Sequence, residues 1–102
     1  MYFYGVGLKQ DYKKAFMYYM QSAEQGNAEA QYQIGQMYYE GKGVSVNYHK
    51  AYLYYSISNI NGNPSAYLDG MYWIRKRKLI PVTEIADITV EAQNIAKRMR
   101  KD

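Results

Sequence analysis

The sequence predicts an all-α superhelix (solenoid) of antiparallel helix pairs, with a 36-residue repeat and a C-terminal capping helix. Three observations carry that fold class. The chain of 102 residues matches itself when displaced, since Tyr12 falls on Tyr48 and 48 − 12 = 36. Apolar residues recur at steps of three and four, the spacing of one helix face. Glycine-containing steps close each periodic stretch, as helix C-termini require.

At the same offset Met1 meets Met37, Tyr2 meets Tyr38, and Gly5 and Gly7 meet Gly41 and Gly43. The match runs on through Lys14-Ala15 on Lys50-Ala51, Tyr18-Tyr19 on Tyr54-Tyr55, Ser22 on Ser58, Gly26-Asn27 on Gly62-Asn63, and Ala30 on Ala66. Self-similarity at this length marks stacked units, each burying its apolar face on its neighbours.

Residues 1–27 form a partial first repeat whose complete helix opens at Asp11, an N-cap residue type, and stops at Gly26. Residues 28–63 form the complete repeat. Within 29–40, Ala30, Tyr32, Ile34, Met37 and Tyr38 make one apolar face, and Gly41-Lys42-Gly43 ends it. Asn47 caps the next helix, whose buried side is read as Ala51, Tyr54, Tyr55 and Ser58 before the stop at Gly62. Residues 64–78 read as a degenerate helix, because Gly70 and Met71 do not fall where Ile34 and Gly35 would place them. After the break at Pro81, residues 82–101 carry a stripe of Ile85, Ile88, Ala92, Ile95, Ala96 and Met99. Acids Glu84, Asp87 and Glu91 sit early in it and bases Lys97, Arg98, Arg100 and Lys101 late, as a helix dipole favours. A capping helix with a polar outer face is what the end of a solenoid needs. Small residues at Ala15, Ala51, Ala30, Ala66 and Gly35 allow close backbone approach, and most of the repeated tyrosines fill the gaps between helices.

The run Ala30-x-x-x-Ile34-Gly35-x-x-Tyr38-x-x-Gly41-x-Gly43-Val44-x-x-Asn47-x-x-Lys50-Ala51-x-x-Tyr54-Tyr55 resembles the Sel-one-like repeat, a relative of the tetratricopeptide repeat. Residues 5–26 repeat its second half. Asn47 stands where that family usually has Asp, and Tyr54 where it often has Trp; the capping oxygen and the aromatic bulk are kept. The resemblance implies a right-handed α-solenoid with adaptor or scaffold roles, often in bacterial signalling, envelope or host-interaction settings and in eukaryotic membrane-protein degradation.

Composition removes several chemistries. Zero cysteines exclude a disulfide scaffold, a zinc ribbon, a thiol nucleophile and a redox pair. The one histidine, His49, has no partner cluster in the sequence, and the nine acids are scattered without a pair set up for acid–base work. The Gly5-x-Gly7 and Gly41-x-Gly43 turns follow helices and lack the Gly-Lys-Ser/Thr of a phosphate loop. The reading is therefore no enzyme, no catalytic residue, no metal and no cofactor. No apolar stretch approaches the roughly 18 residues of a membrane span. The N-terminus has no signal-peptide pattern, so the chain as given reads as soluble and cytoplasmic before periplasmic or secreted. Frequent Tyr, Asn, Lys and Ile suit an AT-rich bacterial genome.

The net charge of +4 lies wholly in the last third, where residues 71–102 hold eight bases against four acids. Its densest block is the basic patch Arg75, Lys76, Arg77 and Lys78. Such a block attracts phosphate or acidic protein surfaces and is also how a solvated helix end reads. Nucleic acid is disfavoured, because only Tyr72 and Trp73 are near to stack on bases. The expected partner is a protein or peptide. In tetratricopeptide-like stacks the first helix of each unit lines the concave side, and the positions there that the core pattern leaves free are Phe3, Gln33, Gln36, Tyr39, Asp69, Tyr72 and Arg75. Two alternatives stand beside it: polyanion or nucleic-acid binding through the basic C-terminal third, and, because Met1 aligns with mid-helix Met37 and Tyr2 and Phe3 have little upstream to cover them, a terminal fragment of a longer repeat protein that self-associates through its N-terminal end.

Overall fold

In the computed structural model, which describes residues 9–100, two helix starts fall where a capping side chain meets an unpaired amide. Five α-helices form among the described residues: α1 (Lys9–Glu24), α2 (Ala28–Glu40), α3 (Tyr48–Ile60), α4 (Tyr72–Lys76) and α5 (Val82–Arg100). Asn27 Oδ1 accepts from the Ala30 amide at 3.0 Å and Asn47 Oδ1 from the Lys50 amide at 3.0 Å, so α2 and α3 start alike. Left-handed Gly41 closes α2, donating its amide to the Met37 carbonyl. A π-helical turn, Tyr67–Met71, leads directly into α4.

The helices stack in chain order, α1 on α2, α2 on α3, and α3 on both the π-helical turn and α5. Consecutive pairs make a slab 19 Å thick, which is two layers of helices about 10 Å across. The architecture is thus the all-α stack of helix pairs that the repeat implies. No described helix is long and apolar enough to cross a membrane.

The middle helix departs from the expected stripe. In α3 Ala51, Tyr55 and Ser58 are buried as anticipated, but so are Tyr52, Leu53, Ser56 and Ile57, and Tyr54 is only half-buried. With α2 on one flank and the π-helical turn and α5 on others, α3 has almost no solvent face. Its serines stay satisfied, Ser56 donating to the Tyr52 carbonyl at 2.8 Å and Ser58 to the Ala28 carbonyl at 2.6 Å. At the outer edge the same repeat position behaves differently: Tyr18, the counterpart of Tyr54, is 64% exposed.

Tyr55 fixes how closely the units approach. Its ring is fully buried with Gly35 of α2 against one edge and Gly70 of the π-helical turn against the other. A methyl on Gly35 would stand 2.7 Å from Tyr55 Cδ1, and one on Gly70 2.5 Å from Cδ2. The ring has nowhere to yield, because relief on one side is a clash on the other.

Beyond residue 66 the repeat does not decay so much as slip. Ala30 and Ala66, both buried, keep the spacing of 36 (66 − 30). From the last residue of the π-helical turn the spacing becomes 37: buried Met71 answers Ile34, buried Ile74 answers Met37, and left-handed Lys78 answers left-handed Gly41. A π-helical turn takes up one extra residue, here closed by the Tyr72 amide on the Tyr67 carbonyl.

Gln31, which the stripe pattern leaves outside, is fully buried. Its Nε2 donates to the Ala23 carbonyl at 2.9 Å and reaches Met99 Sδ at 3.3 Å, while its Oε1 accepts from Asn61 Nδ2 at 3.0 Å. One amide thereby ties α1, α2, the end of α3 and α5 together.

Two outcomes follow from this core. Gly35→Ala and Gly70→Ala should each destabilise the fold by about 1–3 kcal/mol, read as a lower urea midpoint at unchanged slope. The second concerns alkali. Burial, ahead of any charge effect, raises the pKa of Tyr19, Tyr32, Tyr52, Tyr54 and Tyr55 above the usual 10.0. Unfolded tyrosines then release protons that the native state still holds, so stability is intact below about pH 10 and falls as pH climbs above it. Melting temperature against pH, alongside the near-ultraviolet absorbance of tyrosinate, should show ionisation of these residues coinciding with unfolding.

Candidate functional site

The outward side of α2 carries Gln33, Gln36 and Tyr39, all half-buried. They stand there because Ala30, Gln31, Ile34, Gly35 and Met37 take the inward side. Gln33 Nε2 donates to Glu29 Oε2 at 3.1 Å, one helical turn back. Tyr39 is held on two sides: its ring tilts against Tyr48 at 5.6 Å, and its hydroxyl accepts from Arg77 Nη1 at 3.3 Å. Tyr32 reaches across to the third unit, its hydroxyl donating to Asp69 Oδ2 at 3.2 Å. Burial first, then the Asp69 carboxylate, raises the Tyr32 pKa.

The inserted residue of the π-helical turn divides the remaining positions. An extra residue turns everything downstream by about 100° about the helix axis. Asp69, within the turn, joins α2 through Tyr32. Tyr72 and Arg75 instead line an open groove that also takes in residues 78–82 and Ile85 at the start of α5. Arg77 stands next to Tyr39, and its guanidinium lies 5.5 Å above the Trp73 ring. Phe3, Tyr2 and the N-terminal end lie outside the described residues.

The basic block is ordered by aromatic faces, not by acids. Lys76 sits 5.9 Å above Tyr72, which meets Trp73 edge-on at 5.2 Å. Arg75 lies close enough to the Tyr52 hydroxyl to offset part of the rise that burial gives that tyrosine. Among the described residues Lys42 pairs with Glu40 at 3.7 Å, and His49 Nδ1 lies 3.8 Å from Glu84. Arg75, Lys76, Arg77 and Lys78 have no carboxylate within that reach among the described residues.

Among the described residues no three His, Cys, Asp or Glu side chains gather to hold a metal. His49 is exposed beside Glu84 at a distance too long for a hydrogen bond. What the arrangement offers is surface chemistry: amides, tyrosines, cations and apolar walls. Tyr32 packs its ring on the core as the stripe implied; what sequence reasoning missed is the reach of its hydroxyl to Asp69, and the apolar loop around Pro81. Leu79, Ile80 and Val82 flanking that proline were the available signal.

A family model described as the Sel1 repeat matches residues 1–27 and again residues 28–63. No curated protein and no solved structure matches the chain.

Past the matched segments one backbone position is strained. Lys78 has φ 54°, a left-handed conformation that side chains disfavour, at the place where α2 uses Gly41 with φ 74°. Lys78→Gly should therefore raise stability by about 0.5–1 kcal/mol, the relief of strain less the entropy glycine adds to the unfolded chain. Urea unfolding checks it: the midpoint moves up.

Proposed function

This chain belongs to the Sel1 repeat family, and from that membership we propose a non-enzymatic interaction module that holds a peptide or protein on the face of its first helices. Sel1 repeats in general mediate protein–protein interaction and are generally non-enzymatic scaffolds. The surface we assign to the partner is Gln33, Gln36, Tyr39 and Asp69, with Arg77 beside Tyr39 and Trp73 against Arg77.

The observation that carries this reading is the pair of cross-unit contacts, Tyr32 to Asp69 and Arg77 to Tyr39, which join α2 and the third unit into one polar and aromatic surface. Tyrosine, tryptophan and arginine are the side chains that dominate binding energy at protein interfaces. Here they are already held in place by one another, so less side-chain entropy is lost on binding. The glutamine amides supply donors and acceptors that fit a backbone or a side chain equally.

Peptides selected from a random display library against the folded chain should bind Tyr39→Ala at least about tenfold more weakly, the loss typical of an interface hot spot. The variant should keep a cooperative melt, since Tyr39 is only half-buried. Selected peptides that bind Tyr39→Ala and wild type equally would remove this face as the binding surface.

A further inference from the structure

Helix α5 packs on α3, and residues of α4, of the turn at 78–81 and of the start of α5 line an open groove of about 950 Å³. Its apolar wall is Tyr72, Pro81, Val82 and Ile85. Val82 is 80% exposed and Tyr72 41%, unusually wet for large apolar side chains grouped at one place. Arg75, Lys76 and Lys78 line the same groove, and no carboxylate among the described residues does.

We propose that this groove between α4 and α5 docks a short acidic segment of a partner protein, one that carries large apolar side chains among its aspartates and glutamates. Each half of that chemistry is set by an observation. Three cations without carboxylate partners present uncompensated charge over a confined area, which a neutral apolar segment would bury at a cost. An exposed aliphatic wall gains only from apolar contact, which a bare phosphate chain does not supply. A second copy of this chain is disfavoured by charge, because the whole net +4 lies in this third and like would meet like. Lys78 adds a further argument. A lysine is kept in a left-handed conformation where the preceding unit has glycine, and its side chain lines the groove. This inference is independent of the α2 surface, as the groove does not include Gln33, Gln36 or Tyr39.

Trp73, the only tryptophan in the chain, stacks edge-on with groove residue Tyr72 and so reports on occupancy. The probe is a short synthetic peptide with leucine at every third position among glutamate and aspartate. Titrated into the full chain, it should shift Trp73 emission saturably. Val82→Asp should weaken binding at least about tenfold and Lys78→Gly several-fold, both with cooperative melting retained. Tyr39→Ala should bind this peptide as wild type does, which separates failure here from failure of the α2 face. Raising salt should weaken the interaction without abolishing it. The proposal is overturned if the peptide gives no saturable shift, or if Val82→Asp binds it unchanged. It is equally overturned if the same peptide with alanine for leucine, or an oligodeoxythymidylate, binds as tightly, since the surface is then a general polyanion binder. Light scattering completes the test: a dimer that Val82→Asp dissolves would make a second copy the occupant and end the proposal.

Discussion

A single aromatic ring sets the distance between the last two units. Tyr55 projects from the most buried helix into a slot whose two edges are glycines, Gly35 from its own unit and Gly70 from the next. A planar ring cannot thin, and neither glycine can gain a side chain without meeting it, so three segments far apart in sequence are held to one spacing. The π-helical turn follows from the same constraint. The third unit must offer Gly70 to the ring and still put Met71 and Ile74 where Ile34 and Met37 lie in the second, and one additional residue in the helix provides for both.

Around that ring the fold is closed by polar groups that have all found partners; among the described residues no buried side-chain nitrogen or oxygen lacks one. Gln31 is the most connected of them. It draws the end of α5 toward the junction of α1 with α2 through Met99, and meets Asn61 just beyond α3. A buried amide with every site engaged favours one arrangement of four segments over others of similar apolar area. The aromatic contacts extend the same tie outward, from Phe16 on Tyr38 at 5.5 Å to Tyr38 on Tyr54 at 6.1 Å.

Much of this was legible in the sequence, and what was not has identifiable causes. Periodicity gave the helix pairs, because Asn27, Gly41 and Asn47 cap by local chemistry that depends on nothing distant. The full burial of α3 went unread because only its repeated positions were taken as core. Tyr52, Leu53, Ile57 and Ile60 make that helix apolar nearly all round, which is itself the mark of a buried helix. Gln31 was not legible, since its partners Ala23, Asn61 and Met99 belong to other segments and only the fold brings them near. The positions on α2 were chosen as ones the core pattern leaves free; all three are half-buried, Tyr39 against the core itself, and carrying them forward by 36 crosses an inserted residue. That is why Tyr72 and Arg75 line the groove while Arg77 stands beside Tyr39.

The same insertion divides the charge. In sequence Arg75 to Lys78 is one run, yet α4 is so short that its bases diverge: Arg77 lies against Tyr39 and Trp73, whereas Arg75, Lys76 and Lys78 line the groove. At long range the two surfaces share one positive field, which draws acidic partners to this end without choosing between them. At contact they differ. One is aromatic and amide-rich, and gives orientation through hydrogen bonds; the other is aliphatic beside cations, and rewards apolar burial combined with negative charge. Specificity therefore resides in the walls and not in the charge they have in common, and the π-helical turn, by rotating one short helix, is what gives the same four bases two different settings.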